Sequence, residues 1–499
     1  MSLNAPLLSL LIAAPLLAAL PCLLAKREAT VRALAAAGAL LALLLSLLVV
    51  LQFDGGDGGF QQVETYPWIP GLGIHFQVGV DGLSLLFLPA TALLFLAAVV
   101  TTGRGLKPAP GQHFALLLWL ETATLGVFCA LDTMLIFFFW EMSLLPVYFL
   151  TAQWPAGGAQ AGAGAASASA NAGRSAATRY VLIMVAGGVP LLFALLLLGA
   201  DAGMHFDLPT LLAASPSRGL QLLVFLLFLL GFGIKVPLVP LHSWLPSLAL
   251  ASPATTTALL VGLKLGAYGL LRLAVPLAPL AARELHWLLG GLGTVGILYG
   301  AVAALAQGNL RSVQACASIS HVGLAVLGLA SFSVAGLQGV VLLLLTFSLA
   351  SGGGFLLLDG LQRRVGSCDL AALSGVRRRM PRLAGFFLLF GLAAMGLPGT
   401  SGFPAEFLII VTTLQEHSGA ALAALFGMVV GAGAFLAPYR SAFFGPLRHA
   451  AVAEADDLTR REFLLMAVFA VLIVAIGLFP QWLLDLIRPA AELWVRRLS

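Results

Sequence analysis

The sequence predicts an all-α polytopic membrane protein of about fourteen transmembrane helices. Three observations lead there. Of the 499 residues 60% are hydrophobic and only 9% charged, with a mean hydropathy of +1.02. The apolar residues come in continuous Leu/Ala-rich runs of about 20, the length a helix needs to cross the hydrocarbon layer. These runs do not alternate, which argues against the strands of a membrane barrel.

The runs lie near 6–25, 30–52, 83–102, 113–130, 131–152, 178–200, 220–240, 254–275, 285–305, 312–330, 335–358, 384–415, 418–445 and 462–482. The first has no basic residues before it and its cations follow it, so it reads as a retained helix. Residues 53–80 hold Asp54, Asp57 and Glu64 and the turn-forming Tyr66-Pro67-Trp68-Ile69-Pro70, and read as an external loop. Residues 155–177 are Gly/Ala/Ser-rich low complexity and read as a flexible cytoplasmic linker. Asp81, in GVDGLSLLF, sits where an N-cap of segment three belongs.

Basic residues set the orientation. With the N-terminus outside, eighteen of the 26 Lys and Arg residues fall in the cytoplasm, among them Lys26, Arg32, Arg104, Lys107, Arg311, Arg363, Arg364, Arg377, Arg440 and Arg461. Arg218, Arg272, Arg283, Arg488, Arg496 and Arg497 fall outside. The asymmetry places both termini on the periplasmic side of an inner membrane. The net charge of +5 reflects this orientation, so no nucleic-acid partner is expected. Cys22, Cys129, Cys316 and Cys368 form no C-x-x-C pair, and no dinucleotide fingerprint, P-loop or haem motif is present. No cofactor or metal is expected in this chain.

Two segments carry prolines at membrane depth. Segment seven reads GFGIKVPLVPLHSWLP and segment twelve GLPGTSGFPAEF. Proline removes a backbone donor and clashes with the preceding turn, so both helices should break. Exposed backbone at that depth needs protein or a wet cavity around it, and matching breaks in two halves point to a transport path. Segments four to eight and nine to thirteen then form two five-helix repeats, inverted because each has an odd number of helices. The resulting division is 1–112, with three helices and the loop; 113–275 and 276–445, the two repeats; and 446–499, the C-terminal helix and tail.

The chemistry lies in four ionisable residues inside these apolar segments: Glu141, Lys235, Lys264 and Glu406. Each charge at the bilayer centre costs roughly 2.5–3.5 kcal/mol on insertion scales, about 10 kcal/mol for the four, which marks them as functional. Glu141 stands among Phe137, Phe138, Phe139 and Trp140, and Lys235, just before the break, is its best partner. Two unit charges ~4 Å apart at an effective dielectric near 20 attract by roughly 4 kcal/mol, and doubling the separation halves that. Modest movement of Glu141 then decides how firmly Lys235 holds its proton. Lys264, mid-helix in LLVGLKLGAYG, has Gly262, Gly266 and Gly269 beside it to admit neighbouring helices. Glu406 follows the second break, as a gate or as a cap of the resumed half-helix. His242 and His321 are relay candidates, against the plainer role of hydrogen-bonded packing residues. Glu121 and Asp132 suit a contact with another subunit as well as a relay.

These residues carry a resemblance. GVDGLSL, FFFWEMSLLPVYFL, KVPLVPLHSWLP, LKLGAYGLLR, SISHVG and GLPGTSGFPAEF are similar to the antiporter-like membrane subunits of respiratory complex I, of the subunit M or chain 4 type, over about residues 75 to 482. The resemblance implies a proton-translocating membrane-arm subunit of a bacterial NADH-quinone oxidoreductase, without a redox site of its own. It implies an ion pair of Glu141 with Lys235, Lys264 as central relay, Glu406 leading to the exit, and His242 and His321 on the same axis. The partners it implies are other membrane-arm subunits and the lipid bilayer. An Mrp-type cation/proton antiporter, or a complex I-like hydrogenase or inorganic-carbon uptake complex, shares these core motifs.

The sequence departs from the family pattern in three places. Ser247–Ser252 replaces a stretch that commonly carries Asp, His and Glu; Phe347 stands where the segment-eleven histidine is expected; and Ala315-Cys316-Ala317-Ser318 replaces a tyrosine region. Phe347 should leave a dry gap between Lys264 and Glu406. The expectation is that water held by Thr346, Ser348 or the backbone of Gly352–Gly354 fills it.

Overall fold

Continuous apolar runs that satisfy their own backbone hydrogen bonds give the helical bundle that composition demands. The computed structural model describes residues 6–103, 106, 109–157 and 163–498. Among these, 12 helices are long and apolar enough to cross a membrane, and the shorter apolar helices Phe87–Thr101 and Pro381–Ala394 complete the expected set. Arg104, Lys107 and residues 158–162 of the expected linker lie outside the described residues.

Helices α1 (Leu7–Leu24) and α2 (Glu28–Leu51) pack together, and both pack on α4 (Pro110–Cys129). Between α2 and α3 (Phe87–Thr101) the chain is more ordered than a loop. Strands β1 (Gln61–Ile69) and β2 (Ile74–Val80) form an antiparallel hairpin with Glu64 opposite Val78. The Glu64 carboxylate reaches the start of α1, accepting from Leu8 N at 2.7 Å and Ser9 N at 3.0 Å. It thereby satisfies donors that a helix leaves open at its N-terminus. Asp132 has a comparable task. It caps α5 (Thr133–Met142) through Met134 N and Leu135 N and also accepts from His75 N at 2.9 Å, tying helix to hairpin.

After α6 (Leu144–Gln153), the expected linker is helical from Ala163 onward. It forms the first turns of α7 (Ala163–Asp201). Alanine has the highest helix propensity, and its frequency here outweighs the interspersed glycines. Low complexity was a poor guide to local structure at this position.

The second half is organised around α14 (Val334–Val365), whose membrane window is 100% buried. Ser333 caps it through Gly336 N at 3.0 Å, and Gly366, at φ +85°, ends it in the left-handed region that glycine adopts freely. Helices α3, α10 (Ala254–Leu263) and α13 (Leu310–Leu329) pack on α14, as do α15 (Pro381–Ala394) and α16 (Gly402–Glu416). Before α10 come α8 (Arg218–Lys235) and α9 (Trp244–Ala251); α11 (Leu265–Gly269) and α12 (His286–Leu305) lie between α10 and α13.

Helix α17 (Ser418–Phe443) precedes α18 (Arg460–Leu478), and the expected tail forms an amphipathic helix, α19 (Gln481–Arg496), packed on α14. Helix α18 opens with a capping box between Thr459 and Glu462. Glu462 also accepts from Arg364 at 2.5 Å, so cap and ion pair share one carboxylate. Thr459→Ala should cost about 1 kcal/mol of stability, measured by denaturant titration in detergent.

Candidate proton path through three broken helices

Segment seven breaks where its prolines place it. Helix α8 ends at Lys235, residues 236–243 are non-helical, and α9 resumes at Trp244. The indole of Trp244 donates to Ile234 O at 2.9 Å, occupying a carbonyl the break leaves free. Segment twelve breaks between α15 and α16, with Gly396 at φ +66° and Gly399 at φ +89°. Both positions suit glycine, which lacks the Cβ that disfavours that region. At Gly396 the missing Cβ also makes room for the Glu406 carboxylate.

A third break was not expected. Segment eight is interrupted at Lys264 itself, which lies in the left-handed region (φ +47°, ψ 40°) between α10 and α11. Lys264 therefore stands at a helix break and is not a mid-helix residue. Its own carbonyl starts the next turn, accepting from Ala267 N at 3.0 Å. Gly266 explains the placement: a Cβ there would stand 2.6 Å from Val236 N and 2.9 Å from the Lys235 carbonyl carbon. The broken backbones of segments seven and eight are thus in direct contact.

Lys235 and Glu141 do not form the expected close pair. The Lys235 ammonium donates to Ser143 Oγ at 3.0 Å and Trp140 O at 3.3 Å and lies 4.0 Å from the centre of the Trp140 ring. Ser143 separates α5 from α6, and that interruption presents the Trp140 carbonyl to the lysine. Glu141 instead faces Gly188 of α7, where only the absence of a side chain admits its carboxylate, and Oε1 has no hydrogen-bond partner among the described residues.

Two cavities divide the remaining site residues. The first is lined by Thr124, Ser143, Tyr180, Lys235, Lys264 and Val322. The second is lined by Gln314, Ser320, His321, Ser351, Met395 and Glu406, with others. Consecutive residues of α13, His321 and Val322, face different cavities. Lys264 lies at the edge of the first cavity: its ammonium bonds the Ser318 hydroxyl closely and lies 5.5 Å from the Phe347 ring centre. Phe347 in turn stacks on His321, ring centres 4.6 Å apart. Glu406 is 4% exposed, and its Oε2 has no hydrogen-bond partner among the described residues.

Thr346 and Ser348, the expected water-holding groups at Phe347, bond to backbone carbonyls, while Ser351 and Gly354 line the second cavity. Thr346 donates to Leu342 O at 2.9 Å, and Ser348 donates to Gly262 O at 3.1 Å. The space left by Gly352 is taken by Leu94, that of Gly353 by Phe390 and that of Gly354 by Gln314. Ser318, inside the tyrosine-region departure, supplies the contact to Lys264 instead. It stands three residues before His321 on one helix face, the spacing from which it was legible.

His242 lies against Tyr299, with ring centres 4.6 Å apart, and lines neither cavity. Glu121 is fully buried in α4 with both oxygens unpartnered among the described residues. Asp81 holds the turn before α3 through Leu83 N and Ser84 N, as a cap would. It also pairs at 2.6 Å with the buried Arg272, which was expected outside the membrane.

With this geometry in place, similarity to known proteins is decisive. The family described as NADH:quinone oxidoreductase/Mrp antiporter, transmembrane, matches residues 130–431. The chain belongs to that family. It is 34% identical to NADH-quinone oxidoreductase subunit M of Escherichia coli (strain K12) over 459 residues, 89% of this chain and 88% of that one. It is 31% identical to NADH-ubiquinone oxidoreductase chain 4 of Marchantia polymorpha, covering 96% and 94%. A chain of respiratory complex I from Thermus thermophilus superposes on it with a TM-score of 0.88 at 29% identity, over 99% of this chain and all of that one. A chain of the Mrp complex from Dietzia sp. shares the fold, with a TM-score of 0.84 at 22% identity and full coverage of both chains. In this member of the NADH:quinone oxidoreductase/Mrp antiporter family, matched residues 130–431 include Glu141, Lys235, Lys264, His321 and Glu406.

Proposed function

We propose that this chain is a proton-translocating membrane-arm subunit of a bacterial NADH-quinone oxidoreductase, driven by redox chemistry in other subunits. The observation that carries this reading is the arrangement at Lys264. Its ammonium lines the cavity that holds Lys235, beside the Phe347 ring that stacks on His321 of the cavity reaching Glu406, at a point where the helix is broken. Proton hopping needs hydrogen-bonding groups within about 3 Å of one another, and Ser318 gives Lys264 one such group beside Phe347. Glu141 acts at the start of the path by approaching or leaving Lys235, and Gly188 gives it a resting position away from the lysine. Unit 113–275 contributes the breaks at segment seven and at Lys264, and unit 276–445 contributes the break in segment twelve.

Both termini belong on the periplasmic side in this reading. The placement of the basic residues supports that: Arg363 and Arg364 gather around Glu462 at one end of the bundle, and Arg218 pairs with Glu284 at 2.6 Å at the other. No step in the chain itself calls for a redox group, and the partners are the other membrane-arm subunits.

In the reconstituted complex, Lys235→Ala should lose the proton translocation this chain contributes while the peripheral NADH dehydrogenase keeps its activity. Full translocation by the variant would remove Lys235 from the path. An Mrp-type antiporter makes the opposite prediction on another axis. It would exchange sodium for protons in vesicles with no electron donor, and the proposed subunit would not.

A further inference from the structure

A second charged site lies away from the proton path, between α19, the segment before β1 and the end of segment eight. It is a small cavity lined by Gly58, Gly59, Phe60, Asp81, Arg272 and Arg497, with others. Arg272 is 5% exposed and gives only Nη1 to Asp81; its Nε and Nη2 are buried with no acceptor among the described residues. Its guanidinium carbon stands 4.7 Å from the centre of the Phe60 ring, which covers one face of the group. Arg497, exposed at the mouth, adds a second guanidinium. Two cations therefore line a cavity beside one carboxylate, and one of them holds open donors inside the protein. Unmet donors on a buried charged group are costly, so an oxygen-bearing group entering the cavity, best an anion, is favoured there.

Geometry narrows the anion's chemistry. A guanidinium offers a planar fork that suits the oxygens of phosphate or carboxylate, and two forks at one cavity suit a tetrahedral group with several oxygens. Helix α19 follows directly on the spanning helix α18 and packs its apolar face on the protein, with Trp482 and Leu493 exposed beside the end of that span. The cavity mouth is then at the depth of lipid phosphates. We propose that this cavity binds a phosphate group, carried by an anionic phospholipid or free in solution, through Arg272 and Arg497.

The test uses full-length protein purified with its complex from native membranes and stripped of lipid. Samples are titrated separately with dioleoyl-phosphatidylglycerol and with inorganic phosphate, and uptake is read by native mass spectrometry. The expected result is uptake of one phosphate-bearing ligand per chain, weakened about tenfold or more in Arg497→Gln, as for loss of one charge-assisted fork. Arg488→Gln, at an exposed arginine of the same helix paired to Glu492, should bind as the unmodified protein does. Binding of phosphatidylglycerol alone identifies the lipid headgroup as the source, and binding of both identifies phosphate chemistry whatever its carrier. Absence of uptake in both titrations overturns the proposal, as does equal uptake by Arg497→Gln or equal weakening by Arg488→Gln. Arg272 is left intact because its loss would strand Asp81.

Discussion

Lys264→Ala is expected to reduce proton transfer through this chain by about 10²-fold or more, the lower end of what a positioned acid–base group contributes. Without the ammonium, the interval between the two cavities contains Ser318 and the stacked rings of Phe347 and His321. A hydroxyl alone does not span it. Lys264→Arg separates relay from structure. Arginine keeps the positive charge and the hydrogen-bonding capacity but does not give up its proton in a protein. If Lys264 only neutralises or packs, Arg should restore function; if it relays, Arg should remain defective. Proton uptake into liposomes containing the complex, set against NADH oxidation by the peripheral arm, distinguishes the two.

Asp81→Ala should have the largest effect on folding. The pair with Arg272 is 6% exposed on each side, so removing the carboxylate leaves a buried guanidinium without its carboxylate partner. Breaking a buried pair from one side costs about 3–5 kcal/mol. The pair joins residues 191 positions apart, linking the turn before α3 to the end of segment eight, so local structure does not compensate. Asp81→Asn keeps an acceptor and should cost less. Asp81→Ala combined with Arg272→Leu should recover much of the loss, because an apolar pair replaces an unbalanced charge. Equilibrium unfolding in detergent would show this order; an Asp81→Ala protein as stable as the original would contradict it.

What was legible in the sequence follows from cost. A charged residue in an apolar run and a proline at membrane depth are expensive wherever they fold, so Glu141, Lys235, Lys264, Glu406 and the breaks in segments seven and twelve stood out. The break at Lys264 did not, because LKLG contains no proline. Its cause is tertiary: the close approach of Lys235–Val236 to Gly266, a glycine that had read only as a helix-packing residue. Pairings were equally hidden. Nothing local to Glu141 shows that its carboxylate rests in the Gly188 notch, or that Ser143 and the Trp140 carbonyl take up the Lys235 ammonium. The departures misled in one respect. They removed a histidine at Phe347 and a tyrosine region, and Ser318 within that region restores a contact to Lys264.

The central claim is that Lys235 and Glu406 belong to one path joined at Lys264. A double-mutant cycle on protons moved per NADH oxidised, in liposomes carrying the complex, tests it most directly. Groups in series on one path are not additive, since interrupting either already closes it. The account predicts that Lys235→Ala, Glu406→Gln and the double variant all show the same reduced ratio. A double variant that loses the sum of the two single losses would mean two separate routes, and the single path described here would be wrong.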